Sequence, residues 1–196
     1  VTGVQTCALP ISCALHATGF RPGDVASIIA NAVPEWVYAD MGILCAGGVS
    51  SGIYPTDAAA QVEYLLNDSC TRVIFVEDEE QLDKVLTCRS RCPTLDRIVV
   101  FDMEGLSGFS DPMVLSLAEF TALGRNHAQG NDALWDEMTG SRTASDLAIL
   151  VYTSGTTGPP KGAMHSNRSV THQMRHANDL YPSTDSEERL VFLPLC

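Results

Sequence analysis

Short apolar runs recur along this chain with polar or turn-forming residues at both ends: VASIIA (25–30), VSSGIYP (49–55), TRVIFVE (71–77) and RIVVFD (97–102). Runs of this length suit strands buried on both faces, because a strand with one wet face alternates apolar and polar residues instead. Longer segments with helical character separate them. PEWVYADMGILCAGG (34–48) has Pro34 in the first-turn position and Gly47-Gly48 as a stop. AAAQVEYLLNDS places Val62, Leu65 and Leu66 on one face, with Thr56 or Asp57 expected to cap it. DEEQLDKVLTCRS opens with acids, which suit the positive end of a helix dipole. Ser116 and Glu119 have the spacing of a capping box ahead of SLAEFTALGRN. The stretches 105–112 and 127–145 show no periodicity and are expected to be looser. Strands alternating with helices build βαβ units, so the predicted fold is α/β: a mainly parallel sheet with helices on both faces.

Composition narrows the function. The chain has 196 residues, 45% hydrophobic and 18% charged, enough to bury a core. Its 12 basic residues against 24 acidic ones give a net charge of −12, the wrong sign for a nucleic-acid partner. The 7 cysteines include no C-x-x-C pair, and Cys88 and Cys92 have no nearby His, so neither a zinc site nor a disulfide framework is expected. That pattern favours a reducing compartment, and the cytoplasm is the expected location. No stretch approaches the roughly 20 apolar residues of a membrane span, so membrane contact is expected to be at most peripheral, at the inner membrane face.

The stretch DLAILVYTSGTTGPPKGAM (146–164) carries the chemistry. Leu147 to Tyr152 reads as a buried strand. It leads into Thr153, Ser154, Gly155, Thr156, Thr157 and Gly158, then Pro159-Pro160 and Lys161. Glycines let successive backbone N–H groups converge on one concavity, hydroxyls add donors, and a lysine adds a point charge for phosphate oxygens. A simple turn needs fewer residues and no such density of hydroxyls, so the segment reads as a polyphosphate cradle. It is not a Walker loop, which needs Ser or Thr directly after the lysine and a helix starting there. Here Gly162 follows Lys161, and Pro159-Pro160 blocks immediate helix entry. GAMHS is expected to return as a strand, with a helix starting near Ser166 or Asn167.

YTSGTTGPPKGAM resembles the signature loop of the adenylate-forming (AMP-binding) superfamily. RPGDVASIIANAVPEWVYADMGILCAGGVSSGIYPTDAAAQVEYLLNDS and VIFVEDEEQLDKVL resemble its long-chain fatty acyl-CoA synthetase branch, and the resemblance covers about residues 14–196, the front third of such an enzyme. It implies a ligase that uses ATP, Mg2+ and coenzyme A to convert a fatty acid to its acyl-adenylate and then to acyl-CoA. By position, Thr153, Ser154, Gly155, Thr156, Thr157, Gly158 and Lys161 would hold the β- and γ-phosphates. Thr153 would share the metal with a later Glu outside this chain. The adenine, acyl and CoA sites and the catalytic lysine of the family's C-terminal lid also fall outside it, so the fragment alone is expected to be inactive. Other acids (medium-chain, aryl or amino acids) and a non-catalytic nucleotide-binding module are the alternatives.

The remaining features carry less. His165 stands where the family more often has an apolar residue and is expected to be a strand residue without a catalytic role. His172 and His176 share a helix face, but Gln173 stands where a zinc protease would need Glu. Trp36 and Tyr38 are expected in the core. Residues 1–12 are a separate matter. One frame of a common sequencing-library adapter translates to VTGVQTCALPI, and Ser12 completes the next codon. That segment is expected to be non-native and residues 13–196 to be a partial AMP-binding domain, truncated at both ends.

Overall fold

The computed structural model describes residues 2–131, 133–140, 142–153, 158–182 and 184. Strands β1 (Val25–Ile29), β2 (Val49–Ile53), β3 (Thr71–Val76), β4 (Arg97–Val100), β5 (Val114–Ser116), β6 (Leu147–Thr153) and β7 (Lys161–Ser166) form one sheet in the order β5-β4-β3-β1-β2-β6-β7. Every pairing is parallel except β6 with β7. The predicted fold class is the observed one.

Helices α2 (Pro34–Cys45), α3 (Ala59–Asp68) and α4 (Glu79–Cys88) are the crossovers of successive βαβ units. The chain moves from β1 to β2 in one direction, then steps back across β1 to reach β3. Right-handed crossovers then put α2 on one face of the sheet and α3 and α4 on the other. The core follows that division. Ala26 and Ile28 of β1, with Val73 and Phe75 of β3, pack under α2 and under α1 (Thr2–Ala17) and α5 (Leu117–Ala128). Ile29, Ile74 and Val76 pack on the opposite face with Val62, Leu66, Leu82 and Val85. The period-two alternation of a strand thus feeds two hydrophobic layers from one apolar run.

Local signals place most helix ends. Asp78 accepts a hydrogen bond from the Gln81 amide at the start of α4, and Ser116 and Glu119 form a complete capping box on α5. The expected cap of α3 is corrected. Its N-cap is Ala58, without a side-chain bond, because Thr56 and Asp57 belong to the preceding turn, closed by the Asp57 amide on the Tyr54 carbonyl. The additions include the edge strand β5 and the short helix α6 (Leu134–Gly140), held by buried Leu134 and Met138. The expectation of a fully buried β6 is also corrected. Only Ala148 and Leu150 are buried, so β6 has one covered face among the described residues.

Helix α1 runs unbroken through residues 2–12, and Ala8 and Ile11 are buried in it. Its backbone crosses α5 so closely at Gly124 that a Cβ there would stand 1.8 Å from the Pro10 carbonyl oxygen and 2.8 Å from the Ala14 amide nitrogen. Backbone atoms on both sides leave no flexible side chain to yield. Gly124→Ala is therefore expected to destabilise the protein by about 1–3 kcal/mol, the usual range for an overpacked core, measured as a lower urea midpoint with unchanged m-value.

Candidate functional site

β6 and β7 form an antiparallel hairpin whose register pairs Leu150 with Met164, Val151 with Ala163, Tyr152 with Gly162 and Thr153 with Lys161. The strand–loop–strand reading is thus the observed path, followed by α7 (Asn167–Leu180) with Ser166 as its N-cap. The register sets Thr153 and Lys161 directly across from each other at the mouth of the loop, both exposed. Gly158 has φ +88°, a left-handed conformation that a side chain would strain. Ser154, Gly155, Thr156 and Thr157 lie outside the described residues. Of the predicted cradle, the structure therefore brings Thr153, Gly158 and Lys161 to one hairpin end.

This end stands beside the carboxyl ends of β2 and β6, where open parallel sheets receive ligands. A cavity of about 590 Å³ opens there, bounded by Tyr54, Asp57 and Gln61 on one side and by Tyr152, Thr153 and Pro160 on the other. That volume lies within the range of small-molecule sites. Lys84 of α4 stiffens the far wall: its Nζ donates to the Pro55 carbonyl at 2.6 Å and to Gln81 Oε1 at 2.9 Å. Burial raises the Asp57 carboxyl above its usual range, against the opposing pull of the Tyr54 backbone hydrogen bond and the Lys84 charge.

The hairpin is tied to α3. Tyr152 donates its hydroxyl to Asp68 Oδ2 at 2.7 Å, and Tyr64 donates to the Pro160 carbonyl oxygen at 2.9 Å. The Tyr152 ring lies across Gly162, where a Cβ would come within 3.2 Å of Cζ. Gly162 thus serves a close approach within the ladder. Sequence reading missed Tyr64, Asp68 and Lys84. The first two do share a helix face at i, i+4 spacing, the one local hint available.

The other singled-out residues sit apart from the cavity's lining. His165 is exposed on β7, opposite Ile149. His172 and His176 share a face of α7 as their spacing requires, with ring centroids 4.1 Å apart. Trp36 is buried, and Tyr38 packs against the same core. Among the described residues, no group of three or more His, Cys, Asp or Glu side chains could hold a metal, and no helix is long and apolar enough to cross a membrane.

Comparison with known proteins gives this geometry its context. Residues 4–196 match the family described as AMP-binding enzyme. The chain belongs to the AMP-binding enzyme family. This AMP-binding chain is 32% identical over 181 residues to the human long-chain-fatty-acid–CoA ligase ACSBG1, covering 90% of the chain and 24% of that protein. It is 34% identical over 165 residues to ACSBG2 of Xenopus laevis, covering 82% of the chain and 22% of that protein. The chain thus spans about a quarter of the length of these curated relatives. Among solved structures, the anthranilate CoA ligase AuaEII in complex with anthranoyl-AMP superposes with a TM-score of 0.73 at 27% identity, over 89% of this chain and 31% of that one. The family match takes in residues 4–11, ahead of the stretch that carries the sequence resemblance.

The Tyr152–Asp68 bond has a pH signature. Burial, followed by the hydrogen bond and charge of Asp68, pushes the Tyr152 phenol well above the ordinary tyrosine range. A phenol whose folded pKa is raised stabilises the fold fully below its unfolded pKa of about 10, and that stabilisation is lost as pH rises through the folded value. The stability difference between wild type and Tyr152→Phe is therefore expected to be constant at neutral pH and to shrink above about pH 10, as read from urea unfolding at stepped pH.

Proposed function

We propose that this chain is the phosphate-holding segment of an ATP-dependent long-chain fatty acid–CoA ligase. The observation that carries this reading is the ladder register that sets Thr153 opposite Lys161 at a hairpin end beside the cavity. The substrate class is supported by the fatty-acid ligases among the curated relatives.

In the reaction, a carboxylate oxygen attacks the α-phosphorus of ATP. The bond to the bridging oxygen breaks, and pyrophosphate leaves from an acyl-adenylate. The thiol of coenzyme A then attacks the acyl carbon, loses its proton and displaces AMP. Charge builds on the departing pyrophosphate, so the protein's task in the first step is to place donors and a cation around the β- and γ-phosphates before that charge appears. Lys161 supplies the cation and Thr153 a hydroxyl. Ser154, Gly155, Thr156, Thr157 and Gly158 join the cradle on the same reading, through their amides and hydroxyls. Mg2+ neutralises phosphate charge when bound. Thr153 would give it one oxygen, with phosphate oxygens and a Glu elsewhere in the polypeptide completing the shell, consistent with the preference of magnesium for substrate phosphates over all-protein cages.

An aryl acid is the second reading, favoured by the likeness to the anthranilate ligase. The cytoplasmic placement, with membrane contact at most peripheral, belongs to the same proposal. So does the assignment of residues 1–12 as an adapter-derived segment. Reads of the source DNA that continue native coding sequence across Ser12 would overturn that assignment.

Pyrophosphate exchange into ATP, driven by different acids, tests the activity in the complete enzyme carrying this segment. Exchange is expected with long-chain fatty acids, weaker with medium-chain or aryl acids, and reduced on the order of 10²-fold by Lys161→Ala. Exchange with aryl acids alone would favour the second reading. Absence of exchange with any carboxylic acid would sink the ligase proposal.

A further inference from the structure

Helix α3 touches both arms of the hairpin from one face. Tyr64 and Asp68 stand one turn apart on it. Asp68 accepts the Tyr152 hydroxyl on the outgoing strand, while Tyr64 donates to the Pro160 carbonyl just before the returning strand. Both phenols are protonated donors at neutral pH, as tyrosines ordinarily are, and burial first, with Asp68 in addition, moves them further in that direction.

The position of each contact gives it a consequence. Tyr152 and Thr153 are neighbours, as are Pro160 and Lys161, and the ladder matches Thr153 with Lys161 and Tyr152 with Gly162. A peptide unit is planar, so holding the Pro160 carbonyl also orients the Lys161 amide on the far side of the same bond. Proline fixes its own φ and restricts the residue before it, so Pro159-Pro160 has few ways to turn around that anchor. On the other arm, the Tyr152 ring spans Gly162 and its hydroxyl is held by Asp68, so the two contacts fall on either side of the Thr153–Lys161 rung. Successive strand residues alternate faces, which leaves Thr153 and Lys161 on the other face of the ladder from the pinned residues.

We propose that Tyr64 and Asp68 are positioning residues that clamp the two arms of the hairpin and set the direction in which Lys161 and Thr153 present themselves to the nucleotide's phosphates. The inference rests on the phosphate-binding reading of Thr153 and Lys161. Neither residue touches the substrate, and both act through the hairpin.

The test is a double-mutant cycle on the equilibrium ATP affinity of the complete enzyme, with Tyr64→Phe, Lys161→Ala and the pair. Tyr64→Phe keeps the ring and removes one hydrogen bond. It is expected to weaken ATP binding about 3- to 10-fold, with the KM for the carboxylic acid unchanged. If the bond works through Lys161, the pair is expected to bind ATP no more weakly than Lys161→Ala alone. Tyr152→Phe tests the other arm in the same way and gives the answer if Tyr64→Phe fails to fold. Lys161→Ala weakening ATP binding while Tyr64→Phe leaves it unchanged, or weakens it additively, would overturn the clamp. Lys161→Ala leaving ATP affinity unchanged would overturn the phosphate-binding reading itself.

Discussion

The candidate site depends on a narrow parallel seam between β2 and β6. Ser50 with Ile149 and Ser51 with Leu150 are the register pairs that join the hairpin to the rest of the sheet. Beyond that seam, the hairpin end is held from the side by α3. The βαβ layers create the setting: two hydrophobic faces fix β2 and α3, and these in turn fix where β6 can run. Lys161 and Thr153 meet because a strand register places them together.

Much of this was legible in the sequence, for identifiable reasons. β3 and β4 are buried on both faces, so their cores read as apolar runs, and β1 does the same apart from buried Ser27, whose hydroxyl meets that of Thr71. Ser116 and Glu119 announce a helix start through local chemistry, and Pro159-Pro160 forbids a helix directly after the loop. β5 was not legible because it is a half-buried edge strand of 3 residues, too short for its apolar residues to stand out. α6 follows a segment with no periodicity and is held by tertiary burial of Leu134 and Met138.

The contacts between α3 and the hairpin were illegible for a different reason. They join residues 84 and 96 positions apart, Asp68 with Tyr152 and Tyr64 with Pro160. No pattern within a local window predicts such a pairing. In the sequence, Tyr64 looks like one more half-buried aromatic of an amphipathic helix and Asp68 like a solvated helix end. On the proposed reading, the signature loop carries the groups that hold phosphate, whereas the supports that aim them are set by topology.

On the proposed function, the hairpin end between Thr153 and Lys161 receives the phosphates of ATP. Amide hydrogen exchange on the complete enzyme, with and without magnesium-ATP, measures this most directly. Slower exchange on binding is expected for the peptide spanning residues 150–162, with the β4–β5 edge unchanged. Unchanged exchange across residues 150–162 at saturating ATP, with protection confined to other parts of the enzyme, would contradict it.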